Sequence, residues 1–116
     1  MLNIQAGWTL GPEYDRVAWN SALTYDMIFT QPVLYEFPHV QPQTLLIIGD
    51  LDRTALGKNL VADSIARTMG DYPALGRQTQ AKIPHCQLAI LPGVGHVPHA
   101  EAFDSFANTL LTFLQH

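Results

Sequence analysis

Basic residues are scarce. Only six lysines and arginines occur in 116 residues, they are scattered, and the net charge is −4. Nucleic-acid recognition needs a clustered positive patch, so that class of partner is excluded. A basic amphipathic membrane anchor is excluded for the same reason. Cysteine is nearly absent: Cys86 stands alone, which rules out a disulfide framework within the chain. It reads as a small apolar residue at the start of a strand. No run reaches the ~18 apolar residues that a membrane-spanning helix requires. The segment from Met1 to Trp8 has no basic stretch followed by an apolar block, so no signal peptide is visible. A cytoplasmic location is expected, or a periplasmic one if a signal lies upstream. Internal repeats and low-complexity stretches are missing too. What remains has the composition of one small soluble globular unit.

The order of elements is readable from periodicity and from proline and glycine. Residues 1–11 read as loop, with Gly7 and Gly11. Pro12 suits a first helical turn. Tyr14, Val17, Ala18, Ala22, Tyr25, Ile28 and Phe29 recur at helical spacing, so 12–30 reads as an amphipathic helix. Pro32, Pro38 and Pro42 make 31–43 a connector. Thr44 to Ile48 is a short apolar run closed by Gly49, which predicts a strand buried on both faces. A mixed connection covers 50–70, with a helical piece expected at 59–69. Asp71 is a candidate N-cap with Pro73 in the first turn, so a helix follows over 72–82, stopped by Pro84. Residues 87–91 form a second strand, ended by Pro92 and Gly93. Phe103, Phe106, Ala107, Leu110, Phe113 and Leu114 share one face, which predicts a terminal helix over 101–115. The sum is an α/β unit of βαβα type with a parallel sheet.

Two polar residues stand just beyond the strand ends. Asp52 lies in Gly49-Asp50-Leu51-Asp52-Arg53, and His96 in Gly93-Val94-Gly95-His96. Open α/β sheets place their ligands beyond the carboxyl ends of the strands. Neighbouring strands lie ~4.8 Å apart, so loops leaving them can bring a carboxylate to an imidazole. A histidine working as general base needs Nε2 free, and a carboxylate on Nδ1–H fixes that tautomer. Gly93 and Gly95 allow the tight backbone that returns His96 over the strand end. Asp50, two residues before Asp52, is the competing acid.

Gly-x-x-Asp after an apolar strand, then helix, strand, Gly-x-Gly-His and a closing helix is similar to the end of the α/β-hydrolase family. The resemblance covers residues 41–116. It implies that this part is the C-terminal portion of the hydrolase core and that residues 1–40 are a lid-like helical segment and connector. It also implies a triad running nucleophile, acid, histidine along the chain, with Asp52 as the acid and His96 as the histidine. The run Gly-Asp-Leu-Asp-Arg resembles esterase-like and carbon–carbon bond hydrolases of that family. The substrate would be a small, largely apolar molecule with an ester-like, amide-like or carbon–carbon bond. No metal and no organic cofactor is implied.

The departure from the family is the nucleophile. Gly-x-Ser-x-Gly does not occur, and Ser21, Ser64 and Ser105 do not sit on a strand-to-helix elbow. The chain then reads as a fragment, inactive alone, of an enzyme whose serine or aspartate nucleophile lies upstream. The alternative is a non-catalytic assembly or interaction module. His96 and His99 have H-x-x-H spacing but no further ligands nearby. His39 reads as a loop residue, and His85 and His116 as exposed. Trp19, Tyr25 and Phe29 read as the buried face of the first helix or as a pocket lining under a lid. Two strands alone leave an open edge, so a homo-oligomer formed through the exposed sheet edge is expected.

Overall fold

A computed structural model describes Gly7 and residues 10–115. The expected loop over 1–11 and the exposed His116 fall largely outside them, although Gly7 and Leu10 are helical rather than loop. The chain divides into two compact units, Met1–Tyr35 and Glu36–His116.

The first unit is built on helix α1, Tyr14–Thr30. Pro12 precedes the first turn instead of lying in it, and Glu13 occupies the N-cap without a side-chain bond. Arg16 pairs with Glu13 at 3.2 Å. Helical periodicity is present, but a buried stripe is not: no residue of α1 is buried. Trp19, Tyr25 and Phe29, expected to be covered, are all exposed.

The second unit carries a two-stranded parallel sheet, β1 Thr44–Gly49 and β2 Cys86–Leu91, paired from Thr44↔Cys86 to Gly49↔Leu91. Between the strands lie a 3-10 turn, Lys58–Leu60, a short helix α2, Asp63–Ala66, and helix α3, Tyr72–Gln80. After β2 come a one-turn helix α4, Pro98–Glu101, and helix α5, Phe103–Leu114. The unit is thus a mixed α/β arrangement.

Helix α3 starts as its sequence dictates. Asp71 Oδ1 accepts the Ala74 amide at 3.3 Å and Pro73 fills the first turn. The helix lies close on the sheet because Gly76 has no side chain: a Cβ there would run into Ile48 Cδ1 and Leu88 Cδ1. The core is small, with Ile83, Leu91 and Val94 as its buried apolar residues.

Three expectations need correction. The piece at 59–69 is not one helix. Lys58 Nζ donates to Arg53 O at 2.7 Å and to Met69 O at 3.1 Å, which folds the segment back on itself. A straight helix over 59–69 would hold its ends ~15 Å apart. Strand β1 is not buried on both faces: Thr44 through Ile48 are half-buried and only Gly49 is buried. Its partner among the described residues is β2 alone, so its other edge has no cover from a strand. On α5, Phe106, Ala107, Leu110 and Phe113 are half-buried, whereas Phe103 and Leu114 are exposed. Those two are the first and last residues of the helix.

Candidate active site

Strand β1 ends at Gly49 and the chain turns at once. Asp52 N–H donates back to Gly49 O at 3.3 Å, which swings Asp52 under the strand end. The residue is 5% exposed. Strand β2 ends at Leu91, and Gly93, at φ +72°, turns the chain toward His96. The two loops are stitched together: Asp50 N–H donates to Leu91 O and Leu51 N–H to Val94 O, both at 3.0 Å. Gly49 is required at the crossing, since a Cβ there would collide with the carbonyl oxygens of Val94 and Gly95.

The structure brings the two sequence-predicted residues together. His96 Nδ1 and Asp52 Oδ2 are 2.8 Å apart. Asp50, the competing acid, faces elsewhere: its Oδ1 accepts the Gly93 amide at 2.7 Å. Asp52 Oδ1 is also occupied, accepting the Thr54 amide at 3.0 Å and the Thr54 hydroxyl at 2.8 Å. The same hydroxyl oxygen lies 2.9 Å from His96 Nδ1. An ionised carboxylate only accepts, and the hydroxyl has one proton, which it gives to Asp52. Nδ1 therefore carries the imidazole proton and shares it between Asp52 Oδ2 and Thr54 Oγ1. Nε2 is left free as an acceptor.

Burial pushes the Asp52 carboxyl upward in pKa. The hydrogen bond from His96, those from the Thr54 amide and hydroxyl, and the His96 charge outweigh it and hold the group below its ordinary value of 3.8. Asp52 is thus an anion at neutral pH, suited to stabilising an imidazolium beside it.

Three further residues hold the histidine, and the sequence reading missed all of them. Thr54 is one; its signal was the Asp-x-Thr spacing, which favours a side-chain bond to the backbone two residues on. Glu101 is the second. Its carboxylate accepts the Gly95 amide at 2.8 Å and the Val97 amide at 3.1 Å, one on each side of His96. Gly95 has no positive φ; its lack of a side chain serves this approach, because a Cβ would sit 2.9 Å from Glu101 Oε2. Tyr72, the first residue of α3, meets the His96 ring edge to face at 5.8 Å.

Beside the pair is a hollow of about 470 Å³. It touches the consecutive residues Leu46, Ile47 and Ile48 together with Leu75, Gly76 and Thr79, and it reaches Asp52, Tyr72 and His96. Successive strand residues point to opposite faces, so a hollow touching all three lies at the free edge of β1.

The remaining candidates are not at this place. Ser21 is in α1, Ser64 in α2 and Ser105 in α5. Cys86 opens β2, five residues from the end that leads to His96, and burial raises its thiol pKa. His99 packs against Phe106 instead of forming a pair with His96. Among the described residues no group of three His, Cys, Asp or Glu could hold a metal ion, and no helix is long and apolar enough to cross a membrane.

No family model and no curated protein matches the chain. Among solved structures, it is similar to a probable hydrolytic enzyme from Pseudomonas aeruginosa PAO1, with a TM-score of 0.87 and 45% sequence identity over 91% of this chain. The chain spans 34% of that protein's length. The likeness supports a hydrolase-like fold.

Proposed function

We propose that this chain supplies the acid and the base of a nucleophile–histidine–acid triad, as the C-terminal part of an α/β-hydrolase. One observation carries the reading: the 2.8 Å contact between Asp52 Oδ2 and His96 Nδ1, made by loops leaving adjacent parallel strands at their carboxyl ends. The similarity to a probable hydrolytic enzyme of which the chain spans a third supports it. A nucleophile supplied from outside these 116 residues, serine or aspartate, attacks the substrate carbon. With serine, His96 Nε2 takes the hydroxyl proton and delivers it to the leaving group, then activates water to release the product. Asp52 holds the tautomer and stabilises the imidazolium. The bond broken is ester-like, amide-like or carbon–carbon, in a small apolar substrate, and the apolar hollow beside His96 suits such a molecule. Residues 12–35 serve as part of a lid. No organic cofactor takes part. A metal has no role in this scheme, because the proton transfers and charge stabilisation it needs come from His96 and Asp52.

A chimera tests the reading. The matching third of the Pseudomonas protein is replaced by this chain, and both proteins are assayed on a panel of p-nitrophenyl esters and amides. The expected result is a folded chimera with activity that falls at least ~10³-fold in His96→Ala. A folded, active chimera indifferent to His96→Ala overturns the assignment.

A further inference from the structure

We propose that Thr54 is a positioning residue of the Asp52–His96 pair, fixing which carboxylate oxygen the histidine meets. The inference rests on the triad reading and deepens it. The carboxylate of Asp52 has two oxygens that a rotation could exchange. Thr54 removes that freedom, since its amide and its hydroxyl both donate to Oδ1, at 3.0 and 2.8 Å. Only Oδ2 is then left for His96. The hydroxyl oxygen, having given its proton to Asp52, has a lone pair directed at His96 Nδ1–H at 2.9 Å. Three groups thus close a ring of hydrogen bonds in which every proton has one donor and the Nδ1 proton is shared between two acceptors. A hydroxyl can do this because it donates and accepts at once; a carboxamide or an ammonium at this position could not fill both roles with one atom.

The charged neighbours leave this task to Thr54. Asp50 is held on the Gly93 amide, and Arg53 reaches the carbonyl oxygens of Asp50 and Asp52 and lies 4.0 Å from Asp71. Lys58 is bonded to the carbonyls of Arg53 and Met69, and Glu101 to the amides of Gly95 and Val97. Tyr72 meets the ring of His96 edge to face.

The test uses the 116-residue chain, with NMR of the His96 ring nitrogens and of the Asp52 carboxyl carbon. Thr54→Val removes the hydroxyl at nearly constant volume, and Thr54→Ser keeps it. In Thr54→Val the Nδ1 proton is expected to exchange with water about tenfold faster, the factor of one lost hydrogen bond. The Asp52 titration midpoint is expected to move up in the same variant. Thr54→Ser restores both. Thr54→Ala replaces the valine variant if the latter does not fold, with the same expectations. Asp52→Asn separates the two levels of the argument. If it leaves the His96 resonances unchanged, the pair itself is absent and the triad reading falls. If it shifts them while Thr54→Val, Thr54→Ala and Thr54→Ser all match the parent chain, the pair stands and the role of Thr54 is overturned.

Discussion

Asp50 Oδ1 accepts the Gly93 amide at 2.7 Å, so the residue after one strand holds the residue two past the end of the other. This bond sets the spacing between the loops of Asp52 and His96, and it separates the neighbouring aspartates by task. Asp50→Ala is expected to destabilise the chain by about 1 kcal/mol, a charge-assisted bond discounted for partial exposure. Asp50→Asn keeps an acceptor and should cost less. Urea unfolding measures both. Neither variant should abolish the Asp52–His96 pairing seen by NMR; loss of the pairing in Asp50→Asn would show that the pair depends on the Asp50–Gly93 bond for its geometry.

The depressed pKa of Asp52 makes stability depend on pH. Burial works against the shift, but the bonds from His96 and Thr54 win, so the folded value lies below 3.8. The folded state then binds fewer protons than the unfolded chain in this window, and stability rises with pH. The contribution is complete above 3.8 and is lost as pH falls through the lower folded value. Denaturation midpoints collected from pH 2 to 7 are expected to drop more steeply at the acid end for the parent chain than for Asp52→Asn. Parallel curves would show that Asp52 gains nothing from its partners.

Two glycines give a contrast. At Gly49 an added Cβ meets backbone oxygens of the His96 loop, which cannot rotate away. Gly57 has φ +72° and open space around it. Gly49→Ala is expected to cost about 1–3 kcal/mol through overpacking and to displace His96. Gly57→Ala should cost about 1 kcal/mol through backbone strain alone and leave the His96 spectrum untouched. Equal perturbation of His96 by both would contradict the packing described for the strand end.

The strands, the start of α3 and the two residues of the pair were legible because each depends on local sequence. An apolar run ended by Gly49 or by Pro92 and Gly93 needs no knowledge of distant contacts, and Asp71 caps a helix that begins beside it. The supports of His96 were not legible, because they are set by where loops cross. Glu101 bonds two amides four and six residues earlier, and from sequence it read as the first residue of the last helix. Lys58 broke an expected helix through two carbonyls, one of them eleven residues away. Burial was the least legible quantity. The sequence marks one apolar face on α1 and an apolar run on both faces of β1, but whether a face is covered depends on what packs against it.

The free edge of β1 leads to the last expectation, self-association. Among the described residues β1 pairs with β2 only, and Leu46, Ile47 and Ile48 border an open hollow on the other side. Unpaired amides and carbonyls along such an edge are a template for another strand. A two-fold axis would place a second β1 antiparallel against the first, completing both edges with one kind of contact. The expected state at micromolar concentration is a homodimer, read by sedimentation equilibrium. Its thermal midpoint should rise with protein concentration, because dimerisation stabilises the folded chain by mass action. A cooperatively folded monomer whose midpoint is independent of concentration would sink the idea, and would mean that the edge is tolerated by water or covered within the chain.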